Sequence, residues 1–207
     1  MMEQQYFAYS HEATDYLKAR DKRLAEAIDR IGMIRRAVIP DLFSALVHSI
    51  IGQQISTKAH ETLWSRVTDR MGYPLKPTQI DALSEDEIQQ FGTTFRKAGY
   101  IKNLARKVVT GEFDIEALYR LDDEQVCEKL SEIDGIGRWT AEMIMIFSMQ
   151  RPDVVSYGDL AIRRGMCMLY HHRKLDKAKF QRYRRRYSPY GSVASLYLWA
   201  ISAGKES

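Results

Sequence analysis

Gly135-Ile136-Gly137 sits between two apolar helical patterns and runs directly into Arg138, Trp139 and Thr140. Two glycines in such a turn permit positive φ and let another molecule approach the backbone closely. Amide N–H groups opening the next helix, at the positive end of its dipole, then form an anion site indifferent to sequence, and the Thr140 hydroxyl adds a donor. A tight turn between two packed helices would use the same glycines. Twenty-two positions beyond Gly137 comes Asp159, preceded by Gly158 and followed by Leu160-Ala161-Ile162. Its carboxylate can cap a helix that starts at Leu160. Capping is compatible with chemistry, because a helix N-terminus favours the ionised carboxylate.

Other chemistries are excluded by what the chain lacks. Cys127 and Cys167 stand alone with no Cys-x-x-Cys pair, so cysteines assemble neither a zinc site nor an iron–sulfur cluster. Two isolated thiols fit a reducing compartment. No basic stretch leading into an apolar one opens the sequence, and no run approaches the ~18 apolar residues of a membrane span, so an intracellular protein is expected. The chain has 207 residues, 45% of them hydrophobic, enough to bury a core without metal or disulfide. The net charge of +4 permits an anionic partner. Arg163, Arg164, Arg173, Lys174, Lys177, Lys179, Arg182, Arg184, Arg185 and Arg186 are opposed over that stretch only by Asp176. Such a run is either a solvated helix face or a phosphate-binding surface.

The elements that must position these residues read as helices. Apolar residues recur at three and four positions and no segment alternates over strand length, which predicts an all-α fold. Leu42, Ala45, Leu46, Ser49 and Ile50 form a stripe after the capping Asp41; Gly52 stops that helix, and Ser56 caps another with Ala59, Leu63 and Val67 facing inward. Gln53 and Gln54 therefore occupy a sharp joint. Ser84 with Glu87, and Asp122 with Gln125, have capping-box spacing. Arg138 to Met149 is apolar nearly all round and predicts a buried central helix, with its methionines and Trp139 available as core packing. The expected architecture is two helical lobes flanking a cleft, with a helix-hairpin-helix motif at about 122–149. Lobe one spans about 42–151, and lobe two about 1–41 plus 152–207, in one folding unit.

The sequence resembles the helix-hairpin-helix (HhH-GPD) DNA glycosylases, and within them the 3-methyladenine DNA glycosylase II branch. The resemblance rests on Ile50-Ile51-Gly52-Gln53-Gln54-Ile55-Ser56, on Gly92 through Lys97-Ala98, Ile101 and Leu104-Ala105, and on the hairpin itself. It continues through Pro152-Asp153-Val154 to Asp159, and ends with Ser188-Pro189-Tyr190-Gly191-Ser192 and Leu198-Trp199. It covers roughly residues 40 to 202 and looks like the compact core, without the β-rich N-terminal domain of larger members.

The resemblance implies a role for each matching residue. Asp159 falls at the family's catalytic position, where a carboxylate stabilises the positive charge that builds on a sugar losing its base. Trp139 and Trp199 match base-stacking positions, suited to a cationic alkylated purine. Met143 and Leu160 stand where the pocket has further aromatics, and Tyr6, Phe7 or Tyr9 could supply a ring. Gln54 matches the side chain that fills the space left by a flipped nucleotide. Gly135, Gly137 and Thr140 match the phosphate grip, and the main-chain carbonyls of Ser131, Ile133 and Ile136 match a Na+ or K+ site. Because Trp139 replaces the lysine with which bifunctional relatives form a Schiff base, hydrolysis without strand cleavage is expected, with no cofactor for catalysis. The implied partner is duplex DNA carrying damaged bases, the implied state a monomer. A non-enzymatic helix-hairpin-helix module, or a glycosylase for uracil, mismatched or oxidised bases, are the alternatives.

Overall fold

The computed structural model describes residues 4–204, and it is helical as the spacing predicts. No strand occurs among the described residues; a single-residue antiparallel bridge pairs Tyr6 with Ala37. The helices are α1 (His11–Arg20), α2 (Lys22–Ile31), α3 (Leu42–Gly52), α4 (Thr57–Met71), α5 (Pro77–Ala82) and α6 (Glu85–Gln89). There follow α7 (Phe95–Thr110), a 3-10 turn (Glu116–Arg120), α8 (Asp123–Ser131), α9 (Arg138–Phe147), α10 (Leu160–Tyr170), α11 (Lys177–Tyr187) and α12 (Gly191–Ser202). The chain divides into two compact units: Ile39–Ile144 forms one, and the residues before and after it form the other.

In the Ile39–Ile144 unit, helix starts are fixed by local side chains. Asp41 accepts from Ser44 N at 2.8 Å, and Ser56 accepts from Ala59 N at 3.3 Å. Ser84 with Glu87 and Asp122 with Gln125 both close full capping boxes. A side chain at these positions satisfies an amide that the helix itself leaves without an acceptor, worth about 1 kcal/mol each. Leu46, Ile50 and Ile51 of α3 are buried, as are Leu63 and Val67 of α4, Ile101 and Leu104 of α7, and Val126 and Leu130 of α8. Each contributes about 1.5–3 kcal/mol by leaving water.

In the other unit, α10 and α12 pack backbone to backbone. A Cβ on Gly165 would lie 2.1 Å from the Leu198 carbonyl oxygen, so only glycine admits this approach. A buried polar cluster ties α2, α10 and α11 together. Tyr170 donates its hydroxyl to Asp21 Oδ2 at 2.7 Å, Tyr187 Oη lies 2.7 Å from Tyr170 Oη, and Arg186 reaches Asp21 at 3.1 Å. Burial raises the pKa of both tyrosines, so they remain neutral donors, and Arg186 compensates the buried Asp21 charge.

Three expectations need correction. Ala59 is exposed, because a single methyl in α4 sets no facing preference of its own. The helix of the hairpin ends at Phe147, since Gln150 turns to φ 52° and Arg151 N donates to Met145 O at 2.9 Å. It is also not buried all round: Arg138 and Trp139 face solvent, and Met143 and Phe147 are half-buried.

Candidate functional site

The residues singled out from the sequence fall in both units, and each group is built up by itself. In the Ile39–Ile144 unit, α8 and α9 are joined by the hairpin 132–137. Gly135 takes φ 84°, and a Cβ there would lie 2.8 Å from the Tyr100 ring. Gly135 is therefore required twice over, by conformation and by space. Gly137 is different: a Cβ would meet nothing within 4 Å, and the residue is exposed. The first hydrogen bond into α9 runs from Ala141 N to Gly137 O at 2.9 Å, so the amides opening the helix have no acceptor within it. Thr140 lies in that turn with its side chain largely buried.

The hairpin is held on three sides. Arg138 forks onto Glu124 at 2.7 and 2.6 Å, locking the start of α9 to the start of α8. Asn103 of α7 donates to Asp134 at 2.7 Å. Gln53 reaches across to donate its amide to Gly135 O at 2.6 Å. Next to it Gln54 is exposed with φ 57°, a left-handed conformation uncommon for any residue but glycine. Lys97, 7% exposed, donates to Ile51 O at 3.0 Å and Gln53 O at 2.6 Å, closing the C-terminal end of α3. Burial lowers the Lys97 pKa, with Arg96 adding to the effect.

Trp139 is 51% exposed. Core packing therefore does not explain it. The Ser131 hydroxyl donates to Cys127 O at 2.7 Å, and Ile133 O accepts from Ile136 N at 2.9 Å. Ser131 is the last residue of α8, and Ile133 lies in the hairpin that follows it.

In the second unit, Asp159 caps α10, accepting from Ile162 N at 2.8 Å. The carboxylate residue is 6% exposed and the leucine beside it 73%, the reverse of what solvation prefers. The segment leading to it is fixed by Asp153. That carboxylate accepts from Gly191 N at 3.0 Å and Ser188 Oγ at 2.6 Å, and Arg184 donates to Asp153 O at 3.0 Å. Ser192 Oγ accepts from Val154 N, and Ser195 Oγ donates to Val154 O, both at 3.0 Å. Trp199 of α12 is half-buried and tilts against Phe147 at 5.4 Å, with Arg36 over the Phe147 ring at 5.2 Å.

Sequence reasoning did not find Gln53, Lys97, Asp153, Gly165 or Phe147 as structural supports. Of the N-terminal rings, Phe7 is buried, Tyr9 is bound to the Ile34 main chain, and Tyr6 lies under Arg35. The basic run divides. Arg184 and Arg186 turn onto Asp153 and Asp21, Arg164 onto Ser202 at 2.6 Å and Arg163 over the Tyr157 ring, whereas Arg173, Lys174, Lys177 and Arg185 face solvent.

Comparison with known proteins accords with this geometry. Residues 47–189 match the model of the HhH-GPD superfamily base excision DNA repair proteins. DNA-3-methyladenine glycosylase 1 of Schizosaccharomyces pombe is 31% identical over 189 residues, covering 87% of this chain and 81% of the yeast protein. A crystal structure of a DNA-3-methyladenine glycosidase from Bacillus halodurans superposes with TM-score 0.85 at 36% identity, covering 98% of this chain and 94% of that one. The S. pombe 3-methyladenine DNA glycosylase in complex with abasic DNA superposes with TM-score 0.76 at 27% identity, covering 91% and 95%. With residues 47–189 matched by the family model, a span that includes the hairpin and Asp159, the protein belongs to the HhH-GPD superfamily of base excision DNA repair proteins.

Proposed function

We propose that the protein is a monofunctional DNA glycosylase that removes alkylated purines such as 3-methyladenine from duplex DNA. The observation that carries this reading is Asp159, a buried carboxylate held at the N-terminus of α10 beside an exposed Leu160. In the proposed reaction the C1′–N bond breaks with its electron pair leaving on the base, and water bonds to C1′ and releases a proton to solvent. The products are a free base and an abasic sugar. Asp159 acts by charge, stabilising the oxocarbenium-like sugar at the transition state. Alkylation makes the purine cationic, so it leaves without much protonation, and the Trp139 and Trp199 rings attract it. An indole at position 139 cannot form a Schiff base, which leaves water as nucleophile.

The hairpin amides around Gly135 and Gly137, with the turn that includes Thr140, hold a backbone phosphate, and Gln54 fills the space of the flipped nucleotide. The carbonyls of Ser131, Ile133 and Ile136 are neutral hard oxygens from the last residue of α8 and the hairpin that follows it. That donor set suits Na+ or K+, which would brace the turn against the phosphate. The proposed enzyme works as a monomer in the compartment that holds the DNA.

Asp159→Asn tests the reading cleanly, because asparagine caps a helix as well as aspartate does and only the charge is lost. An ion pair ~4 Å apart at an effective dielectric of ~20 is worth about 4 kcal/mol, about three decades of rate. Wild-type protein should release methylated purine from methylated duplex DNA, and Asp159→Asn should release it about a thousandfold more slowly with unchanged duplex affinity. A wild type that binds damaged DNA and releases no base would favour a binding module in which Asp159 is only a cap.

A further inference from the structure

We propose that Gln53 and Lys97 are positioning residues that fasten the Gln54 turn to the hairpin, so that the backbone grip and the displacing side chain act as one piece. The inference rests on the reading of Gln54 given above and extends it to two residues that touch no DNA in it.

Three observations carry it, all within the Ile39–Ile144 unit. The Gln53 side chain donates to Gly135 O at 2.6 Å, a contact made 82 residues away in the chain, directly onto the glycine whose positive φ shapes the hairpin. The next residue, Gln54, is held at φ 57°, a conformation that costs about 1 kcal/mol or more for a residue with a Cβ and persists only when its surroundings impose it. The Lys97 ammonium takes the carbonyls on either side of Gly52, Ile51 O and Gln53 O, at the end of α3 where orphan carbonyls gather. The turn is thus fixed at its start by Lys97, and across to the hairpin by Gln53. Gly52 fits the same device: a Cβ there would lie 2.3 Å from the His60 ring, which itself bonds His48 O at 2.9 Å. A side chain that must push into a base stack works against a cost of a few kcal/mol, and a freely swivelling turn would yield before the stack did.

The test separates grip from displacement without relying on base release. Duplex DNA with a tetrahydrofuran abasic analogue opposite 2-aminopurine reports displacement as fluorescence at saturating protein, and anisotropy on undamaged duplex reports grip. Gln53→Ala and the isosteric Gln53→Glu, which lacks the donor, should each lower the displacement signal at least fivefold while duplex affinity stays within twofold. Gln54→Ala should do the same, and adding Gln53→Ala to it should lower the signal no further, since one residue acts through the other. Lys97→Met should reproduce the effect. Normal displacement by both Gln53 variants beside a defective Gln54→Ala would overturn the inference and leave the Gln54 reading standing. Normal displacement by all of them would remove both. A double variant well below Gln54→Ala alone would also overturn it, by showing independent action.

Discussion

Replacing Gly165 by alanine should separate the two helices that carry Asp159 and Trp199, and the sign of the effect follows from two opposing terms. In a helix interior alanine is favoured over glycine by about 1 kcal/mol. Against this, the added Cβ would sit 2.1 Å from Leu198 O and 2.9 Å from Leu198 C, backbone atoms that cannot rotate aside. Ordinary contact starts near 3.4 Å, so α10 and α12 must part by about 1.3 Å along that direction. Overpacking of this kind costs about 1–3 kcal/mol, and a backbone clash falls at the upper end, so the net destabilisation should be about 2 kcal/mol. Gly99 supplies the control, because in α7 its Cβ would meet only the end of Glu85 at 3.6 Å. There the propensity term is unopposed, and Gly99→Ala should stabilise by about 0.5–1 kcal/mol. Urea unfolding followed by circular dichroism reads both, and base release by Gly165→Ala should drop by more than its folded fraction explains. If Gly165→Ala proves as stable as Gly99→Ala, the backbone approach of α10 to α12 does not set this geometry.

Two further outcomes are expected. Gly137→Ala should leave the urea midpoint unchanged, since its Cβ meets nothing within 4 Å, yet weaken duplex binding about tenfold at every sequence, measured by anisotropy over a salt series; unchanged affinity would mean that no phosphate approaches there. His48, whose pKa is pushed down to about 3 by burial with His60 adding to it, should make the protein acid-sensitive. The unfolded chain takes up a proton near pH 6.5 that the folded one refuses, so this stability is complete above pH 6.5 and falls toward pH 3, by about 2 kcal/mol at pH 5. His48→Phe, which keeps a ring against His60 and Trp64, should flatten that part of the profile in urea melts at pH 7 and pH 5.

What the sequence made legible was what depends on near neighbours. Asp41, Ser56, Ser84, Asp122 and Asp159 cap helices through bonds to residues three positions on, so each could be read from spacing. Gln53 on Gly135 and Asp153 on Gly191 are made across 82 and 38 residues, and no local pattern marks them. Gly165 reads as a weak point in a helix until Leu198 is seen against it. The basic run read as either a solvated face or a binding surface, and the fold divides it residue by residue. Arg184 and Arg186 are fastened to buried or half-buried carboxylates, which a count of charges could not foresee.

The candidate site is most visible where folding fails to account for the residue. Half of Trp139 is in water, so the large apolar surface it offers stabilises the free protein little. Leu160 is more exposed than the aspartate it follows. Gln54 holds a left-handed backbone with no glycine to relieve it, and Gly137 lacks a side chain where a Cβ would meet nothing within 4 Å. Each choice is neutral or unfavourable for the chain alone, and each sits at a helix terminus, where a side chain or amide can be presented without disturbing the packing behind it. Departures of this kind are expected at functional positions, because a site complementary to another molecule cannot also be complementary to itself. Under the proposed function, duplex DNA would supply each with a partner: a base for the ring and for the leucine, vacated space for the glutamine, a phosphate for the glycine.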